Sequence, residues 1–197
     1  MHKRSFRSWL AALPIALVCC AGPCSGEEYR YRGEVFGAVG AGKTYDDEGS
    51  LGSGFNGGGG VGYRIRPKFG VEFELSGFRH ERETSSGSLL FRGNGVFATG
   101  NAVYYFGSGT GRAQPYVIGG AGVLHKRNTS SFEGGPRLDF SGTGFALNGG
   151  AGVKIFVRPR FSIRPEFRVF AGGAGSQRVV EAPFVVIRAS IGAAYHW

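Results

Sequence analysis

The stretch Gly37–Thr44 has the spacing of a phosphate-binding loop, with Gly37, Gly42, Lys43 and Thr44 at the positions that define the motif. Such a loop cradles phosphate only when a helix follows it and directs its backbone N–H groups at the anion. Residues 45–54 are rich in Asp, Gly and Ser and are unsuited to that helix. We therefore interpret Gly37–Thr44 as a glycine-rich strand running into a loop, and we predict no nucleotide or other cofactor.

Histidine offers a second kind of chemistry, because a hydrolase needs a base beside a nucleophile and an acid. Outside the N-terminal segment the chain has three histidines, His80, His125 and His196. A Ser–His–acid set assembled from distant positions, such as His125 with Ser130 or Ser131 and Glu133, stays open as an alternative. No nucleophile–base arrangement is visible in the sequence itself, and we predict that the protein is not an enzyme.

The acidic run Asp46–Glu48 provides oxygen ligands of the kind that Ca²⁺ prefers. Its spacing lacks the alternation of an EF-hand loop. We interpret the run as part of a solvated loop and predict no metal site.

The N-terminus has the features of an export signal. Met1–Arg4 is basic, the stretch from Trp9 to Ala21 is apolar, and small residues precede Glu27. These features predict a cleaved signal peptide over residues 1–26 and a mature domain over residues 27–197. All three cysteines, Cys19, Cys20 and Cys24, lie in the signal, which excludes a disulfide scaffold. A lipoprotein acylated at Cys19 is the alternative.

The chain is basic, with 23 Lys and Arg against 14 Asp and Glu. Removing the signal, which holds three of the bases, leaves 20 bases and 14 acids, a net charge of +6. A basic protein favours anionic partners. Because export argues against nucleic acid, we expect the lipid phosphates of the outer leaflet to be the anionic neighbour.

The last fourteen residues, Phe184–Trp197, alternate between apolar and polar or small side chains. A period of two is typical of a strand with one apolar face. Seven further runs behave similarly, although glycine and mixed composition leave the phase of the fourth and fifth ambiguous. The eight predicted strands are Gly33–Ala41, Gly54–Ile65, Phe69–Phe78, Leu90–Phe106, Pro115–Leu124, Thr143–Val157, Phe161–Ala171 and Phe184–Trp197.

The connections between these runs alternate in length. Short turns lie around Pro67, Gly109 and Pro159, whereas longer polar connections span residues 42–53, 79–89, 125–142 and 172–183. Short turns at one end and long loops at the other are typical of bacterial outer-membrane barrels. We predict an all-β fold, an eight-stranded antiparallel up-and-down transmembrane β-barrel.

The polar face of these strands carries charges of both signs that would point into the barrel. We predict that they form a structural ion-pair network filling the interior, since eight strands leave a space that side chains just fill. A narrow gated ion path is the alternative. The predicted network contains Arg64, Glu72, Glu74, Lys154, Arg164, Glu166, Arg168 and Arg188.

The sequence resembles the eight-stranded outer-membrane β-barrel family that includes the OmpA transmembrane domain and the opacity-like proteins. The resemblance covers nearly all of the mature chain. It is carried by Gln114–Val117 with the glycines after it, by Arg164–Arg168, and by the terminal Tyr195–Trp197. It implies location in the bacterial outer membrane, with Tyr195 and Trp197 in the strand that the assembly machinery recognises. The deacylase relatives use a His-X-Ser pair, which no histidine here matches.

The resemblance implies architecture more than activity, because this fold carries many functions. We expect a role in envelope integrity or attachment through four extracellular loops. The expected partners are outer-membrane lipid and lipopolysaccharide, the assembly machinery, and an extracellular partner at the loops. A lipid-modifying barrel enzyme and a secreted soluble ligand-binding barrel are the alternatives.

Overall fold

The computed structural model describes residues 31–46, 49–83, 89–107, 111–132, 138–176, 179–180 and 184–197. The predicted signal peptide, residues 1–26, lies outside these ranges. Within them, no helix is long and apolar enough to cross a membrane.

Eight long strands form the fold, and a two-residue strand, Val179–Val180, pairs with the end of the seventh. All eight match runs that the sequence predicted. The long strands are β1 Gly33–Asp46, β2 Gly49–Arg66, β3 Phe69–Glu83, β4 Leu89–Tyr105, β5 Ala113–Phe132, β6 Leu138–Arg158, β7 Phe161–Ser176 and β8 Phe184–His196.

The sheet closes on itself. Each long strand pairs antiparallel with the strands before and after it, and β1 pairs with β8 from Glu34 opposite His196 to Tyr45 opposite Val185. The predicted eight-stranded up-and-down barrel is therefore confirmed. Closure gives every strand two neighbours, which satisfies backbone groups that hydrocarbon cannot hydrogen-bond.

Three tight connections, β2–β3, β4–β5 and β6–β7, lie at one end of the barrel together with Gly33 and Trp197; we call this the turn end. The opposite end, where β1–β2, β3–β4, β5–β6 and β7–β8 connect, is the loop end. Much of the predicted loop sequence here is strand. β5 continues to Phe132 and β6 begins at Leu138, although the sequence predicted a connection over residues 125–142. Polar residues continue the ladder because its hydrogen bonds come from the backbone.

The outward face is apolar over a limited height. On β6 the outward side chains from Phe145 to Val157 are apolar, and Phe145 is 58% exposed. Polar outward residues begin at the loop-end edge of this band: Lys43, Ser53, Arg79, Asn94, His125 and Thr143. The band is therefore tall enough for the roughly 9–11 tilted residues that a strand needs to cross a membrane.

The structure also resolves the ambiguous phase of β4 and β5. On β5, Tyr116, Ile118 and Leu124 point inward and are buried, whereas Val117 and Val123 point outward. Apolar side chains occur on both faces of these strands, so the contrast that reveals orientation in the sequence is weakened.

Glycines on the inward face make room for large neighbours. A Cβ on Gly152 would lie 2.6 Å from the Tyr116 ring, and one on Gly62 would lie 2.8 Å from the Glu34 carboxylate. These positions are restricted by the space that the interior side chains occupy.

A charge placed at mid-height on the outward face should destabilise the barrel. Ala151 lies near the middle of the apolar band of β6, and Ala151→Arg should lower the free energy of unfolding by about 2–4 kcal/mol. Urea titration in vesicles would measure the loss. Ala151→Leu is the size control, and Ser141→Arg at the loop end should cost only about 0–1 kcal/mol. Equal losses for both arginine variants would contradict the placement of the band.

Candidate functional site: the charged barrel interior

The turn-end half of the interior is filled by ion pairs. Their positions follow from strand register: Glu72 and Glu74 project from β3, Arg164, Glu166 and Arg168 from β7, and Arg188 from β8. Alternation places every second residue inside, so each strand contributes charges two residues apart. All of these residues are buried.

Four of these side chains form a closed ring of alternating charge. Arg168 and Arg188 are directly opposite on β7 and β8, yet each lies between the same two carboxylates. Arg168 donates to Glu74 at 2.7 Å and to Glu166 at 2.8 Å. Arg188 donates to the second carboxylate oxygen of Glu74 at 2.7 Å and to that of Glu166 at 3.1 Å. Shared carboxylates thus offset the repulsion between the facing arginines.

A second group extends this ring towards the turn end. Arg164 donates to Glu72 at 3.0 Å and to Glu166 at 3.2 Å, and its guanidinium is 3.5 Å from Glu34. Lys154 contacts both oxygens of Glu34 at 2.6 Å. One continuous network therefore joins strands β1, β3, β6, β7 and β8.

The network is electrically balanced. Its four cations are Lys154, Arg164, Arg168 and Arg188, and its four anions are Glu34, Glu72, Glu74 and Glu166. Burying an isolated charge is very costly, so balance is what allows this many charges to be buried together.

Arg64 is the one residue of the predicted network that lies outside the observed network. It is only half-buried, it donates to Gln114 at 2.5 Å, and its guanidinium lies 4.0 Å from the centre of the Tyr105 ring. The other seven predicted residues are buried and belong to the network described above.

Sequence reasoning missed three groups that complete the network. Glu34 lies on β1 and binds Lys154, Tyr105 accepts from Lys154 at 3.0 Å, and Tyr116 donates to Glu166 at 2.8 Å. The two tyrosines lie on the strands whose phase was ambiguous. For Glu34 a signal was present, since it lies in the phase opposite to the apolar Val35 and Val39.

The loop-end half of the interior is closed by an apolar layer. Leu124 and Ala146 have no exposed surface, and the Phe97 and Phe170 rings stack with centroids 4.5 Å apart. Phe78 packs against this layer from β3. The residues of the layer are Phe97, Leu124, Ala146, Phe170, Phe184 and Val186.

One interior set has the connectivity of a catalytic triad. Ser162 Oγ lies 2.8 Å from His196 Nε2, and His196 Nδ1 lies 3.3 Å from Glu34. Its surroundings argue against catalysis. Glu34 is already bound by Lys154, and only 1% of Ser162 is exposed, which leaves no approach for an acyl substrate. We interpret the set as a polar contact that stabilises the turn end.

The residues considered for chemistry in the sequence occupy other places. His125 lies on the outer surface, with its Nδ1 2.9 Å from the Thr143 hydroxyl. The side chains of Ser130, Ser131 and Glu133 lie outside the described residues. Gly37–Thr44 is part of β1, in extended conformation.

Tyr195 and Trp197 lie at the turn end, where the barrel closes. The Trp197 carbonyl accepts from the N–H groups of Arg32 and Gly33 at 3.1 Å, and its N–H donates to Gly33 at 3.0 Å. Tyr195 faces outward between the rings of Phe161 and Trp197. The last residues of the chain thus pair with the first described strand.

The sequence model of the family described as outer membrane protein beta-barrel domain matches residues 11–177, which is most of the chain. The chain belongs to this outer-membrane β-barrel family. It is accordingly a protein of the bacterial outer membrane, and its apolar outer band faces lipid. No curated protein matches it by sequence.

Solved outer-membrane barrels share its fold at low sequence identity. Neisserial surface protein A is 20% identical with a TM-score of 0.61, over 84% of this chain and 97% of its own. Ail, the attachment invasion locus protein of Yersinia pestis, is 19% identical with a TM-score of 0.54, over 84% and 99%. A major outer membrane protein of Thermus thermophilus is 13% identical with a TM-score of 0.54, over 83% and 99%.

Removing one member of the charge ring should be costly. Arg168→Met removes one of the two cations that Glu74 and Glu166 share and leaves buried negative charge in excess, so the free energy of unfolding should fall by about 3–5 kcal/mol. Urea unfolding of both proteins in vesicles measures this free energy. The control Arg158→Met, at an exposed position, should change stability by under about 0.5 kcal/mol. Similar small losses for both variants would contradict a stabilising role for the ring.

Proposed function

We propose that this outer-membrane barrel is a non-conducting, non-catalytic envelope protein that acts through its loop end. The observation that carries the proposal is the closed interior, in which a balanced ion network and an apolar layer follow one another along the axis. A barrel with this interior has its outer surface and its ends available for function.

The interior chemistry favours a plug over an ion path. Charged rings that select ions are of one sign and line water. Here four cations and four anions are buried against one another, and the stacked Phe97 and Phe170 lie in the other half of the interior. An ion entering from the loop end would have to cross that apolar layer without hydration.

The loop end is built to project from the membrane. On β5 the apolar band ends at Val123, and the strand continues to Phe132. The additional residues, at about 3.3 Å each, extend well beyond the lipid. By the usual asymmetry of these barrels, the long connections face the exterior and the short turns face the periplasm.

The named relatives support a surface role. One is named a surface protein and another an attachment invasion locus protein, and both share this fold. We propose the same class of role here, in attachment or envelope integrity. We further propose contacts of the outer surface with lipid and lipopolysaccharide, and recognition of Tyr195 and Trp197 during assembly.

A conductance measurement tests the closed interior. Purified protein in planar bilayers should give no stepwise currents. Replacing the ring residues Glu74, Glu166, Arg168 and Arg188 by Ser, together with Phe97 and Phe170 of the apolar layer by Ala, should open a passage in the molecules that stay folded, as judged by a boiling-dependent gel shift. Stepwise currents from the unaltered protein would instead support a gated ion path.

Single cysteines test the orientation and the role of the loop end. The sequence after residue 26 has no cysteine, so Ser141→Cys at the loop end and Lys68→Cys at the turn end each introduce one there. A large maleimide polymer should label Ser141→Cys on intact cells and reduce attachment. Lys68→Cys should react only after the outer membrane is opened. The reverse labelling pattern would overturn the orientation, and unchanged attachment after full labelling would argue against the proposed role.

A further inference from the structure

Outside the predicted signal, the excess of basic over acidic residues is concentrated at one end of the barrel. The loop-end connections with their adjoining strand ends, residues 43–53, 79–94, 125–142 and 172–183, contain eight Lys or Arg and eight Asp or Glu. The interior network is balanced as well. The excess therefore belongs mainly to the turn end.

Six exposed cations lie at that end, and we call them the basic rim. Among the described residues of the turn end, no exposed Asp or Glu accompanies them, since Glu34 is buried in the network; Glu27 and Glu28 lie outside the described part of the chain. The rim consists of Arg32, Arg66, Lys68, Arg112, Arg158 and Arg160.

The backbone fixes the rim in place. The carbonyls of Arg32, Lys68, Arg112 and Arg160 accept hydrogen bonds from the N–H groups of Arg64, Tyr105, Phe156 and His196, at 2.7–2.9 Å. Each bond joins a rim residue to a different part of the barrel. The cations are thus distributed around the circumference.

Aromatic side chains mark the depth at which the rim lies. Phe69 and Phe106 both contact Tyr104, with ring centroids 5.1 Å apart in each pair. Phe161 contacts Tyr195, which in turn stacks with Trp197. Aromatic rings of this kind sit at the membrane–water interface of barrels. Cations immediately beyond them lie at the level of the lipid headgroups.

We propose that the basic rim binds the phosphate groups of anionic phospholipids in the leaflet that surrounds the turn end. Lysine and arginine at headgroup depth attract anionic lipid, and arginine can bind phosphate through two parallel hydrogen bonds. Given the orientation proposed above, this leaflet is the inner, periplasmic one. This proposal adds an inner-leaflet neighbour to the outer-leaflet lipid that the net charge of the sequence led us to expect.

Trp197 is positioned to report on this binding. It is 56% exposed at the turn end, and the only other tryptophan in the sequence is Trp9. In a full-length Trp9→Phe protein, only Trp197 fluoresces as tryptophan. Brominated lipids quench tryptophan on contact, so quenching measures which lipid occupies the surface beside the rim.

The experiment uses phosphatidylcholine vesicles into which brominated phosphatidylglycerol or brominated phosphatidylethanolamine is titrated. Phosphatidylglycerol should quench Trp197 at a lower mole fraction, by a factor on the order of five for each engaged cation. In Arg66→Gln/Lys68→Gln/Arg158→Gln/Arg160→Gln the two lipids should quench nearly equally. High salt should reduce the preference of the unaltered protein, since the charges are exposed.

The matched control removes four bases from the opposite end, in Lys43→Gln/Arg79→Gln/Lys126→Gln/Arg127→Gln. It lowers the net charge equally and should keep the preference. A boiling-dependent gel shift verifies that each protein is folded. Equal quenching by both lipids in the unaltered protein, or the same loss of preference in the control, would overturn the proposal. Quenching in vesicles does not depend on the orientation of the protein in cells. The lipid preference and the cysteine labelling therefore test the two proposals separately, and either proposal can be overturned while the other stands.

Discussion

The backbone hydrogen bond is the interaction on which the rest of this structure depends. In hydrocarbon an unpaired N–H or C=O costs several kcal/mol, so a sheet can cross the membrane only when its first and last strands pair. Here β1 and β8 form that pairing over twelve residue positions, from Glu34–His196 to Tyr45–Val185. Closure with eight strands also sets the width of the interior, and this width decides what the inward side chains can be.

Two kinds of side chain fill the narrow interior, charged ones in one half and apolar ones in the other. Towards the turn end, charges are buried in a continuous network in which each carboxylate contacts one or more cations, as Glu166 does with Arg164, Arg168 and Arg188. Towards the loop end, stacked phenylalanines and aliphatic side chains close the space. Such a network is weak evidence for stability compared with an apolar filling of equal volume. Its evident effect is to fill the barrel interior, because Arg168 and Lys154 have almost no exposed surface.

The two ends of the barrel differ in charge as well as in the length of their connections. The turn end combines tight connections, an aromatic belt and exposed cations, whereas the loop end combines long strands with charges of both signs. An exported protein with this basic composition could distribute its charges in many ways. Only the assignment of each charge to an end, or to the interior, shows that the excess lies beside the short turns and not beside the loops. The membrane therefore meets two different surfaces on one protein.

The sequence by itself determined the fold class, the strand count and most of the interior charges, because a period of two is a local property of each strand. For β3, β7 and β8 it placed Glu72, Glu74, Glu166 and Arg188 on the inward face directly. It did not show the contribution of Tyr105 and Tyr116, since β4 and β5 carry apolar side chains on both faces. It also ended the loop-end strands too early, because their polar residues continue a ladder that backbone bonds maintain. Which carboxylate meets which cation was decided only by the tertiary structure, since these contacts join residues up to 130 positions apart. They depend on the register in which all eight strands close, and no local pattern encodes that register.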